Sequence, residues 1–310
     1  MAFGGCPAGL VAVRAEDSPA HRWLAAVVLG GRGHYAAAAA LLDRLYRDPS
    51  VPVALRAHAA VTRGAHLRQL GGHGMARTWD GRGLALASPL AGRAGPGVGG
   101  GLGDTLAEWC PGSDETGLDP AALGREGAFL DATVGLAADA LGLGELSLAE
   151  RLIRSVERPV LQHHLWRPSV RLSWVCAELA LARGQSSAAA EWARRAVAQS
   201  RSAGALRHEI KSELVLTVAL STADTAVGTR DEAVNRLNVL FERVRRAQLG
   251  PLEWVIHMLL GSMYQVSDHD LAVLHRRLGV EVLRQIWLRT DPVGRRVFDR
   301  SPWVPSLVKN

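Results

Sequence analysis

Five glycines in this chain carry the same surroundings. Gly33, Gly71, Gly144, Gly184 and Gly228 are each followed, five residues on, by an alanine: Ala38, Ala76, Ala149, Ala189 and Ala233. Seven residues before each lies another small residue: Ala26, Gly64, Ala137, Ala177 and Ser221. A glycine can take the positive φ that ends one helix and turns the chain toward the next. Small residues at matched distances on the two arms let the helix axes approach to about 8 Å, the short end of the packing range. Twelve residues past each glycine stand Leu45, Gly83, Val156, Ala196 and Leu240, apolar but for Gly83, in position to face the next hairpin. The recurrence confines the chain to a stack of helical hairpins.

The segments between these markers agree. "HRWLAAVVLG", "SVRLSWVCAELALARG" and "IKSELVLTVALSTADTAVG" are alanine- and leucine-rich helical runs that end in glycine, and β-branched alternation is rare. Successive glycines lie 38, 73, 40 and 44 residues apart. The long interval holds one hairpin plus an insertion containing "AGRAGPGVGGGLGD" and "PGSDETGLDP", too poor in apolar residues to bury a core. The expected layout is a flexible N-terminus over 1–18, two repeats over 19–87, a flexible loop over 88–120, three repeats over 121–265, and a basic cap over 266–310.

No run of 18 apolar residues occurs, and the first twenty residues lack the basic and apolar regions of a signal peptide, so a cytoplasmic chain is expected. Cys6, Cys110 and Cys176 are too few and too scattered for a disulfide framework or a zinc site, and Cys176 falls on an apolar helical stretch that suits a core residue. The formal charge of +6 comes almost wholly from arginine, since Lys211 and Lys309 are the only lysines. Spread over 310 residues, it does not by itself imply nucleic acid.

Each motif with catalytic potential fails a physical requirement. Gly95, Gly97 and Gly100 spell G-x-G-x-x-G, but no strand precedes them and no helix opens after them. There is no Walker A sequence. His208 and Lys211 in "RHEIK" lack the second histidine of a zincin helix, and His163 and His164 are adjacent in a turn, where side chains diverge. In "SDHDL", Ser267 or Asp268 suits the N-cap of a following helix. No enzyme, cofactor or metal is expected. Of nine tryptophans, Trp23, Trp174, Trp192 and Trp254 have apolar neighbours at helical spacing and read as core.

From residue 271 the chain turns basic. Arg276, Arg277, Arg284, Arg289, Arg295, Arg296, Arg300 and Lys309 stand against Glu281, Asp291 and Asp299. A helix over about 270–289 is expected to place Leu271, Leu274, Leu278, Val282 and Ile286 on one face. The simplest role is a cap for the last repeat. A second is a face for nucleic acid or an acidic partner, built from Arg276, Arg277, Arg284, Arg295 and Arg296.

The hairpin pattern resembles the tetratricopeptide repeat, with Trp23, Gly33, Tyr35, Ala38 and Pro49 the fullest match and Ala177, Gly184, Ala189 and Ala196 the next. The periods near 40 are longer than that family's 34, as in the variants found in sensor modules of bacterial transcriptional activators. The resemblance implies an all-α superhelix of about five hairpins with a helical cap. It also implies a concave groove lined by the first helix of each hairpin, where Arg22, Arg32, Arg63 and Arg183 are expected to point outward and bind a partner peptide's carboxylates. The function implied is a non-catalytic protein-interaction module, regulatory or an assembly adaptor. The alternative is a transcriptional regulator using the basic C-terminus.

Overall fold

The computed structural model describes residues 14, 17–88, 124–163, 165–223, 227–302 and 304–305. The insertion expected over 88–120 falls outside them except for Ser88. The described residues form thirteen helices and no strand. Helices α1 (Pro19–Gly31) and α2 (Tyr35–Arg47) make the first hairpin, and α3 (Val53–Gln69) and α4 (His73–Ala87) the second. Then come α5 (Arg125–Gly142) with α6 (Leu146–His163), α7 (Trp166–Ala182) with α8 (Ser186–Ser202), and α9 (Leu206–Ala223) with α10 (Val227–Arg246). Helices α11 (Gly250–Met263) and α12 (His269–Leu288) form a sixth hairpin, and α13 (Pro292–Arg300) follows.

The first four marker glycines do the work expected of them. Gly33, Gly71, Gly144 and Gly184 have φ between 72° and 84°. Each closes its helix with the same two bonds: at the first turn the Gly33 N–H donates to the Gly30 carbonyl and the His34 N–H to the Leu29 carbonyl, the Schellman arrangement. Ala26, Ala38, Ala76, Ala137, Ala149, Ala177 and Ala189 are fully buried at the axis contacts. Gly83 belongs there for a steric reason: a Cβ on it would come within 2.6 Å of Val61 Cγ2.

Three expectations are corrected. Gly228 is the second residue of α10, not a turn, and the fifth glycine with positive φ among the described residues is Gly204, which joins two hairpins. Ala233 and Leu240 are nonetheless buried, because a helical period preserves the inward face whatever residue opens the helix. Among the described residues the hairpins number six. The sixth escapes a search for glycine turns because its connection, residues 264–268, contains none and stops instead on Asp268, whose carboxylate accepts the Leu271 N–H. Small residues still set the approach of its arms, for a Cβ on Gly279 would meet Met258 Cε at 2.5 Å. The face of α12 is also rotated from expectation: Ala272, Gly279, Val280, Leu283 and Ile286 are buried, whereas Leu274 and Leu278 are exposed.

The array closes on itself. Tyr35 and Leu70 from the first two hairpins pack with Leu283, Ile286, Phe298 and Val304 in one apolar cluster. The Ala36 N–H donates to the Arg289 carbonyl at 2.8 Å. Arg63, buried between α2 and α13, reaches Asp291 at 2.9 Å and Asp43 at 3.7 Å. The first helices of all six hairpins therefore face a common interior.

Candidate functional site

That interior is a cavity of about 370 Å³. Its wall includes Val27 and Gly31 of α1, His66, Arg68 and Gln69 of α3, Asp131 and Val134 of α5, Arg167, Arg171 and Trp174 of α7, Arg207 and Lys211 of α9, and Trp254 and Val255 of α11. Arg167, Arg171, Trp174 and Glu178 recur at intervals of three or four, so one face of α7 delivers all four. Arg207 and Lys211, four apart, do the same from α9.

The polar groups of the wall fall into three sets. Arg68 is held by Asp80 and, at 2.8 Å, by Asp139. Both aspartates are fully buried, and burial, reinforced by Asp139, raises the Asp80 carboxyl well above its ordinary value. Gly135 makes room for that carboxylate, since a Cβ there would come within 2.3 Å of its Oδ2. In the second set Arg167 and Arg171 share Asp131, Arg171 at 2.6 Å. Burial works to raise the Asp131 carboxyl, yet the two guanidiniums overcome it and hold it down at about 2. His58 completes the set, its Nε2 donating to the Gly124 carbonyl while its Nδ1 accepts from Arg167. These clusters spend their charges on one another and fix the wall.

The third set is less fully spent. Arg207 donates one Nη to Gln69 Oε1 at 2.8 Å, and the Tyr35 hydroxyl donates to the same oxygen at 3.1 Å. Arg207 Nε is buried without a hydrogen-bond partner, as is His66 Nδ1. Lys211 Nζ lies 4.2 Å from the Trp174 ring centre and 3.8 Å from Glu178, beyond hydrogen-bond reach. Burial disfavours the charged form of all three, taking His66 down to about 3 and lowering Arg207 and Lys211. The cavity thus carries positive charge in excess of its carboxylates.

None of Arg22, Arg32, Arg63 or Arg183 lines this cavity. Arg63 does not point outward but is 3% exposed and joins the two ends of the array. Arg32 caps the end of α1, Arg22 is half-buried on α1, and Arg183 caps α7 and pairs with Glu150 at 2.7 Å. At the C-terminus, Arg277, Arg284 and Arg296 are exposed and Arg276 is half-buried. Arg295 is used structurally, donating to the Trp287 and Leu288 carbonyls and lying over the Trp287 ring. The cavity residues were legible only as half of a pattern. Charged residues at i, i+4 on helices otherwise buried mark a polar interior, but which helices meet there depends on closure.

Trp23 and Trp174 are buried as expected, and Trp192 and Trp254 are partly so. Cys176 is buried, its thiol pushed up to about 12 by burial first and by Glu157 second. Among the described residues no cluster of three or more His, Cys, Asp or Glu could hold a metal ion, and no helix is long and apolar enough to cross a membrane.

No known sequence family and no curated protein matches the chain. Among solved structures it is similar to the Rap conjugation gene regulator of the plasmid pLS20, solved in complex with the Phr* peptide. The TM-score is 0.56 at 14% identity, over 94% of this chain and 74% of that one. That likeness extends to the fold: this chain is a tetratricopeptide-like helical-repeat protein.

Proposed function

We propose that this protein is a non-catalytic regulatory module that binds a short peptide or a segment of a partner protein within its superhelix. The observation that carries the reading is the interior cavity. It is lined by the first helix of every hairpin and walled by two ion-paired clusters that hold its shape. A pre-formed concave site with apolar walls and a few convergent polar groups is the usual form of a binding pocket. The peptide bound by the pLS20 regulator supports the reading by analogy of fold alone.

The test compares what the wild-type protein and an Ala65→Phe variant retain from cells, each with and without nuclease. Ala65 lines the cavity, and phenylalanine would fill it. A stoichiometric peptide or protein that survives nuclease and is lost from the variant supports the proposal. Cargo lost to nuclease and indifferent to Ala65 would refute it and favour the exposed arginines of α12 and α13.

A further inference from the structure

Resting on that reading, we infer that the cavity is built to take a carboxylate, with Arg207 and Lys211 as its recognition pair. The two cations sit four residues apart on one face of α9, an arrangement that costs stability through like-charge repulsion when nothing lies between them. The carboxylates of the wall do not relieve it. Asp131 is shared between Arg167 and Arg171, and Asp80 and Asp139 belong to Arg68. Glu178 reaches only Lys211, and at 3.8 Å. Buried donors without acceptors are expensive, and Arg207 Nε is one.

A carboxylate placed between α9 and α3 would accept from Arg207 Nε and Lys211 Nζ, forming charge-assisted bonds in a low-dielectric site. Gln69 holds the guanidinium in place from behind through its Oε1. Elsewhere the wall includes Val27, Trp254 and Val255, which offer contact to a hydrocarbon or aromatic body. At about 370 Å³ the space suits a small acid or the end of a short peptide, and not a folded segment. The shared chemistry is therefore a single carboxylate on a small, partly apolar body.

The experiment uses matched probes on the full-length protein. Phenylacetate is compared with phenylacetamide, and a pentapeptide mixture with free C-termini is compared with the same mixture amidated. Tryptophan fluorescence and thermal shift are the readouts. The expected result is that at least one acid binds, its amide does not, and Arg207→Gln weakens the acid at least tenfold. Phenylacetate binding identifies a free acid as sufficient, whereas binding of only the free-acid peptides identifies a chain terminus. Lys211→Met, which keeps packing on Trp174, provides a second variant with the same expected loss should Arg207→Gln unfold. Amidated peptides binding as well as free ones would overturn the carboxylate site and leave the peptide reading intact. Phenylacetate binding with no response to either peptide mixture would do the reverse. Silence from every probe up to its solubility limit, or full binding by folded variants of both residues, would overturn the inference.

Discussion

Gly30→Ala is expected to destabilise the protein, although the same change inside a helix is ordinarily favourable by about 1 kcal/mol. Gly30 lies in the last turn of α1, in ordinary helical conformation. A Cβ built on it falls 2.0 Å from His66 Nε2, 2.2 Å from Cε1 and 2.7 Å from Cδ2. The imidazole is buried and backed by the Tyr35 ring at 5.5 Å between centres, so it can yield only by giving up that contact and turning into the cavity it lines. Displacing a packed side chain with an added methyl costs about 1–3 kcal/mol. Against the gain in helix propensity, a net loss of about 1 kcal/mol remains. Gly81→Ala in α4 is the control, because a Cβ there meets nothing within 4 Å. It should gain about 1 kcal/mol. At about 2 °C per kcal/mol for a chain of this length, the two variants should melt about 4 °C apart on either side of wild type. A double-mutant cycle supplies the decisive comparison: with the ring removed by His66→Ala, adding Gly30→Ala should raise the melting temperature. If Gly30→Ala melts at or above wild type, the account of how α1 seats on His66 is wrong.

Other outcomes follow from the same geometry. His66 and His257, held by burial at about 3 and about 4, must stay neutral in the native state, while in the unfolded chain they titrate near 6.5. Stability should be full above that value and fall below it as the unfolded chain gains protons, by about 1.4 kcal/mol per pH unit for each histidine until its native value is reached. Because the raised Asp80 carboxyl works in the opposite sense, melting scans between pH 7 and pH 4 should compare wild type with His257→Asn, whose stability should fall less steeply toward pH 4; equal slopes would refute it. Arg63→Met strips Asp43 and Asp291 of their shared cation and should cost about 2–3 kcal/mol by urea titration, less than for fully buried partners because both aspartates are partly wet. Cys176 should resist iodoacetamide in the folded protein and react promptly in denaturant, since its thiol is both buried and pushed up to about 12.

The hairpins were readable because what defines them is local. A glycine, a small residue seven before it and an alanine five after all act within one turn and its two arms, and four of the five markers proved to be turns. Gly228 misled because composition alone cannot separate a glycine that ends a helix from one that begins the next. The sixth hairpin uses an aspartate cap in place of a glycine, and the exposed Leu274 and Leu278 of α12 drew the apolar stripe to the wrong side. The site was less legible because its contacts are non-local. Arg63 and Asp291 are 228 positions apart, and Arg207 and Gln69 are 138 apart. No periodicity spans such distances. Lys211 was visible as an unusual residue, yet only the bond from Arg207 on the same face of α9 to Gln69 of α3 shows that it faces an interior.

Repeat arrays commonly grow and shrink by copying whole units, since each unit touches only its neighbours. The bond from Ala36 to the Arg289 carbonyl and the cluster joining Tyr35 to Phe298 remove that freedom. A hairpin inserted or deleted anywhere would carry one end past the other and tear the seam. Six units is thus a number this architecture has to keep, and its descendants should vary in side chains and insertions while their repeat count stays fixed.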